Sequence, residues 1–412
     1  MKHKGKKGAG KEAEPVRNRF GLPIISREKV LAMIGAVVGT RIIIGLATTF
    51  IFHSFIDYYV IGIYAQAALN VLHGMVPWAN NVIFYYPPLA LVPLVISLMG
   101  FPFAGFFGFV VLLWVLMAAC DIVTTICVYY IGLKLYSERT AFIAAILNAT
   151  AISVAYYSIT RWEAWVVCLA MLAVMVTVYG RKTLGYVAAI AGAFAKIWPV
   201  LLFPFLWIYN AKDSSILEEG KKRALWILGA AGLAFGLMLW AGYDKFLEYA
   251  NMVYCNTIPY TVFEYVRMAG IPAEFGQVAS LFEALLVITI LAALYWMYRR
   301  PQLSTMLKGI FLALFVVTTF VQYRSPQYIA WLAPFAALLI AGDTPGILAF
   351  WGVQVLEYIS FPLTFYGVWV NDNYVSWWAL PLFTVLFLMY GLLVWRAMKG
   401  KGIVEWSPQP AG

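Results

Sequence analysis

Long apolar runs with at most one charge in each are the feature that most narrows the folds open to this chain. Residues 30–52 carry only Arg41, residues 106–133 only Asp121, and residues 278–298 only Glu283. A helix crosses a bilayer in roughly 20 apolar residues. Transmembrane strands would instead alternate apolar and polar positions, which these runs do not do. Composition agrees: 63% of the residues are hydrophobic and 12% are charged, against about 45–50% and about 25% in soluble domains. The expected fold class is an all-α polytopic membrane protein.

Spans are expected near 30–52, 87–103, 106–133, 139–157, 160–180, 183–209, 224–242, 278–298, 306–321, 326–341, 346–366 and 374–397. That organises the chain as a basic, disordered cytoplasmic tail (1–29), one integral membrane domain (30–398) and a short cytoplasmic tail (399–412). The net charge of +10 comes from Lys and Arg beside the spans, so it marks cytoplasmic loops and contact with lipid headgroups. No nucleic-acid-binding stripe is present. The chain opens without the apolar stretch of a signal peptide, so the first span is expected to stay as an anchor.

Basic residues at the N-terminus, at 221–223, at 299–300 and at 396–401 place those segments inside. The two long loops, 53–86 and 243–277, then share the outer face. Simple alternation would put Lys134–Arg139 and Arg181-Lys182 outside, against the charge bias. A second path repairs this. Residues 87–103 dip in and return, and 183–209 breaks near Lys196-Ile197-Trp198-Pro199. Arg161, Glu163 and Lys196 then face outward. Irregular backbone at membrane depth is tolerated where it lines a polar cavity.

Asp57, in Phe55-Ile56-Asp57-Tyr58-Tyr59, follows the first span directly. Residues 61–72 after it have the pattern of an amphipathic helix too short to span, stopped by His73-Gly74. Such a helix would hold the Asp57 carboxylate near the headgroups, where a general base for a sugar hydroxyl belongs. Lys196 in an apolar run costs about 2.5–3.5 kcal/mol on insertion scales, so it needs an interface or an anion. Snorkelling to the surface is the alternative. Arg324 in an outer loop and Arg41 inside a span raise the same question. Arg161 and Glu163 do too, although a local pair would account for them. Asp121 is expected to serve an internal hydrogen bond. The cysteines and histidines have no metal-ligand spacing, and no disulfide is expected. No nucleotide-binding loop or metalloprotease motif occurs.

Asp57-Tyr58-Tyr59, Tyr86-Pro87-Pro88-Leu89, Lys196-Ile197-Trp198-Pro199 and Ser325-Pro326-Gln327-Tyr328-Ile329-Ala330-Trp331-Leu332-Ala333-Pro334 occur in this order. Together they resemble the GT-C superfamily of polyprenyl- or dolichyl-phosphate-sugar-dependent glycosyltransferases, over residues 40 to 340. The likeness is to its mannosyltransferase branches, the GPI mannosyltransferase I catalytic subunit among them. The resemblance implies a GT-C-like bundle of about 11 to 13 spans, with the interfacial helix in its first outer loop. It implies a plasma-membrane enzyme acting at the external face, taking a hexose, most simply mannose, from a lipid phosphate to a lipid-linked or glycan acceptor. Asp57 matches the general base. Lys196, Arg324, Gln327, Tyr328, Tyr86, Arg41, Arg161 and Glu163 are the expected substrate contacts. The GPI branch carries Asp-x-Asp where this chain has Phe55-Ile56-Asp57, so neither a metal nor another cofactor is expected. The rival class is a transporter or lipid flippase, which would call for an internal repeat that the sequence does not display.

Overall fold

The structure, a computed structural model, describes residues 22–51, 58–82, 84, 86–240, 257–321, 325–369 and 379–403. The regular elements among them are helical. Four helical stretches are long and apolar enough to cross a membrane, and a bent pair makes a fifth. The chain has the build of a helical membrane protein.

Helix α1 (Arg27–Leu46) runs into a π-helical turn over Ala47–Ile51. Helix α2 (Tyr58–Leu72) is the short amphipathic element expected from sequence; Ile61, Tyr64, Ala68 and Asn70 are buried in the protein. It packs on the next arm of the chain. Asn70 stops the loop beyond it from wandering. Its amide donates to Pro77 O (3.1 Å) and Ala79 O (2.7 Å), and its oxygen accepts from Gln66 and Asn80.

The stretch Pro88–Gly132 is 45 residues of helix by hydrogen bonding, yet it is a hairpin. A 3-10 turn (Pro88–Ala90), α3 (Leu91–Ser97) and a second 3-10 turn lead into α4 (Phe101–Gly132). Inside α4 the chain reverses at Ala104 (φ −150°, ψ 25°) and Gly105 (φ 57°, ψ −140°). Gly105 supplies a backbone conformation that side chains oppose. A Cβ added to Gly100 would lie 2.2 Å from the Gly108 carbonyl oxygen. In a straight helix those residues would be about 12 Å apart. The expected short arm over 87–103 and long span over 106–133 are both present.

The expected span 139–157 is split into α5 (Glu138–Ala149) and α6 (Ile152–Thr160), bent by 45°. Thr150 Oγ1 donates back to Ile146 O at 2.7 Å, a side-chain bond that bends helices. Then come α7 (Glu163–Val178), α8 (Lys182–Ala195) and, after a break, α9 (Leu202–Asn210). Helix α10 (Ile216–Trp240) starts eight residues before the span expected over 224–242. Ser215 Oγ caps it by accepting from Glu218 N at 3.1 Å, and Glu219 pairs with Arg223 one turn on. Within the long second loop sits another short helix, α11 (Ile258–Met268), whose N-cap Thr257 accepts from Tyr260 N. Helices α12 (Phe275–Arg299), α13 (Leu303–Thr319), α14 (Ile329–Ile340), α15 (Thr344–Trp369) and α16 (Ala379–Lys399) complete the chain.

The basic helix ends are tied to one another. Lys29 pairs with Glu138, and Lys182 donates to Asn210 O at 2.7 Å. Asp343 accepts Arg396 Nε at 2.6 Å and a second bond from its Nη2, and also caps α15 through Gly346 N at 3.0 Å. The Arg396 guanidinium holds the Asp343 carboxyl below its ordinary 3.8. A carboxyl lowered in this way stabilises the fold fully above its unfolded pKa and loses the contribution as pH falls through the folded one. Asp343→Asn is therefore expected to destabilise the protein by roughly 1–2 kcal/mol at pH 7, a charged hydrogen bond discounted for solvent around Arg396. Melting curves of variant and wild type should converge only as pH falls through the folded pKa, which lies below 3.8. A gap that persists there would assign the loss to the cap alone.

Candidate functional site

Four interruptions of helix meet around Lys196. The first is at Lys196 itself. Helix α8 stops at Ala195, Lys196 is extended (φ −159°, ψ 142°), and a 3-10 turn over Trp198–Leu201 restarts the chain. Pro199 explains the stop, since it has no N–H for Ala195 O and its ring would press on that carbonyl. The second is at Arg161 (φ −142°, ψ 168°), between α6 and α7. The third is the turn at Tyr86-Pro87, before Pro88 opens its 3-10 helix. The fourth is the 3-10 turn Pro326–Tyr328 ahead of α14.

These breaks bring together side chains far apart in sequence. Lys196 Nζ is paired with Glu163 Oε1, and both residues are buried. Glu163 Oε2 accepts from Trp331 Nε1 at 2.6 Å. Glu163 lies in the first turn of α7, where the positive end of the helix dipole favours a carboxylate. Four aromatic rings surround the ammonium: Tyr86 at 5.4 Å, Trp162 at 5.2 Å, Tyr328 at 5.3 Å and Trp331 at 5.2 Å from its centre. All four are within the roughly 6 Å at which a ring face attracts a cation, a face-on contact contributing about 0.5–2 kcal/mol, but Tyr328 and Trp331 are stacked on one another and cannot both present a face. With the carboxylate, that offsets the insertion penalty of about 2.5–3.5 kcal/mol.

The box is braced from outside. Tyr328 stacks on Trp331 at 3.9 Å, Trp198 stacks on Trp331 at 5.0 Å, and Tyr86 meets Trp162 edge-on at 5.0 Å. Trp165 Nε1 donates to Leu89 O at 3.1 Å and fixes the turn that carries Tyr86. The indole N–H of Trp198 is buried and has no hydrogen-bond partner among the described residues. Trp162 and Trp331 are 1% and 4% exposed, while Tyr86 and Tyr328 are half-buried. The two tyrosines are thus the side of the box nearest the surface.

Six of the residues singled out from sequence gather here. Lys196, Glu163, Tyr86 and Tyr328 form the box. Arg161 is buried at the same break, donating from Nη1 to Thr160 O at 3.0 Å, near enough for its charge to bear on Lys196. Gln327 is buried beside Tyr328, and its Oε1 accepts from Ser325 Oγ. The Glu163 carboxylate reaches across to Lys196, a partner that the adjacent Arg161 had obscured in the sequence. Trp162 and Trp331 were not among the expected contacts. Their only sequence signal was position, one beside Glu163 and one inside the Ser325–Pro334 stretch.

Arg41 belongs to a second cluster. Its Nε donates to Asp121 Oδ2 at 2.8 Å, its Nη2 pairs with the same oxygen, and its Nη1 donates to Val37 O and Ala149 O. Ser158 Oγ also donates to Asp121 Oδ2, at 2.6 Å. This knot ties α1, α4 and α6, and Asp121 has the internal hydrogen-bonding role expected of it. Asp57 and Arg324 lie outside the described residues. No group of three or more potential metal-binding side chains occurs among the described residues.

A scan against protein-family models and a search of curated proteins return no match to this chain.

Proposed function

We propose that the protein is a membrane glycosyltransferase that moves a hexose, most simply mannose, from a polyprenyl or dolichyl phosphate to a lipid-linked or glycan acceptor at the external face of the plasma membrane. The observation that carries this is the buried Lys196 in its box of aromatic rings, at a junction of broken helices. A transferase of this kind needs a cation for a phosphate leaving group, aromatic faces for a sugar ring, and an apolar route for the polyprenyl chain. The buried first turns of α7 and α14 add positive dipole ends at the same place.

In the proposed reaction Asp57 removes the proton from the acceptor hydroxyl. The oxygen attacks the anomeric carbon from the face opposite the phosphate, the bond from that carbon to the phosphate oxygen breaks, and the polyprenyl phosphate leaves with the electron pair. The sugar is transferred with inversion. Lys196 and Arg324 hold the departing phosphate, with Arg161 adding positive charge. Tyr86, Tyr328 and Gln327 flank the sugar.

A donor screen on the purified protein tests this. Polyprenyl-phosphate mannose and polyprenyl-phosphate glucose are offered with extracted membrane lipids as acceptors. A new glycosidic bond is expected with one of them. Substrate crossing the membrane without a new bond would place the protein among flippases instead. Lys196→Ala should lower kcat/KM for the donor roughly 10- to 150-fold, as expected for loss of a charged hydrogen bond to phosphate. Acceptor affinity should stay close to wild type. A variant that loses acceptor affinity and keeps donor use would move Lys196 to the other substrate.

A further inference from the structure

We propose that Glu163 is a stand-in for the substrate phosphate: its carboxylate occupies Lys196 while the site is empty, and a polyprenyl phosphate, as the donor diester or as the monoester left after transfer, displaces it. The proposal rests on the reading of Lys196 as a phosphate ligand and adds what that lysine does between turnovers.

Three features carry it. First, Lys196 is 7% exposed with four rings around it, and its ammonium donates to Glu163 Oε1. Carboxylate and phosphate compete for the same ammonium. Second, the displaced carboxylate has somewhere to rest. Its other oxygen keeps Trp331 Nε1 at 2.6 Å, and its helix N-terminus still favours negative charge. Breaking the Lys196 contact therefore does not strand a bare buried anion. Third, the surroundings favour an incoming anion. The buried Trp198 N–H next to Trp331 is a donor without a partner among the described residues.

An empty, unpaired ammonium at this depth would be unstable, and an empty site filled by its own carboxylate is not. The arrangement lowers apparent affinity by the fraction of molecules in which Lys196 is occupied. Removing the competitor should therefore tighten phosphate binding, which is opposite to the effect of deleting a substrate contact.

The test uses the full-length protein in detergent, with tryptophan fluorescence as the readout, since Trp162, Trp198 and Trp331 all sit at the site. The probes are polyprenyl monophosphate, neutral polyprenol of equal length, and inorganic phosphate. Glu163→Gln should bind polyprenyl monophosphate at least about tenfold more tightly than wild type, with polyprenol unchanged. Unchanged or weaker phosphate binding in a variant that elutes as wild type would overturn the proposal. If Glu163→Gln does not fold, Glu163→Asp decides. It keeps the charge but withdraws it by one methylene, so a several-fold tightening is expected, and unchanged or weaker binding rejects the stand-in. Tightening for inorganic phosphate alone keeps the stand-in and removes the lipid-donor reading. Absence of phosphate binding by wild type and variants removes both.

Discussion

Asp57→Asn is expected to insert and fold as wild type does and to transfer sugar at least about a hundredfold more slowly, the lower end of what a positioned general base contributes. The substitution keeps the size of the side chain and removes its ability to take a proton. Asp57 immediately precedes Tyr58, the first residue of α2, and α2 is anchored by Ile61, Tyr64, Ala68 and Asn70, all buried. Initial rates with saturating donor measure the effect, and the melting temperature reports folding separately. Turnover within a fewfold of wild type would remove Asp57 from the mechanism and leave the acceptor proton without an assigned destination.

Asp121→Leu should have the largest effect on stability. Arg41 is 3% exposed and takes its ion pair from Asp121 alone among the described residues. Its remaining bonds, to Val37 O at 3.1 Å and Ala149 O at 3.3 Å, are to neutral carbonyls. Stranding a buried charge in this way costs about 3–5 kcal/mol. Ser158 loses an acceptor as well, although it retains Val154 O at 2.8 Å. Little folded protein should be recovered after extraction. The double variant Arg41→Met/Asp121→Leu replaces the pair with apolar groups of similar size and should regain most of the loss. It also separates two roles for Arg41. Wild-type donor kinetics in a folded double variant would make Arg41 structural, and a raised donor KM would return it to the substrate contacts expected from sequence.

Much of the architecture could be read from the chain because its signals are local. The reversal at Ala104–Gly105 and the break at Lys196–Pro199 are set by glycine and proline, and the ends of most spans by charge. Helix α2 is legible in its own periodicity. What could not be read is tertiary. Glu163 finds Lys196 across 33 positions of sequence, while Arg161 two residues away offered an obvious local partner. The four rings come from three segments, and a Trp in an apolar run looks the same whether it faces lipid or a cation. Helix α11 lay in a segment read as a loop, although its residues Ile258–Met268 carry a strong helical period of their own. The early start of α10 depended on a cap at Ser215, which composition alone does not reveal.

The hairpin of α3 and α4 has a bearing on how the molecule is made. Its first arm, from Pro88 to the reversal at Ala104, is about 24 Å long at helical rise, shorter than the roughly 30 Å of hydrocarbon it must meet. Such an arm is at the short limit for spanning alone, and Gly100 and Gly108 let its backbone touch that of α4, which suits the two to partition together. Tyr86 rides at the foot of that arm, so one wall of the box is set in place as soon as the pair is inserted. The opposite wall, Tyr328 and Trp331, is not yet translated at that stage. A nascent chain therefore holds an incomplete box until the segment with Tyr328 and Trp331 is made, and the site closes only when α14 docks.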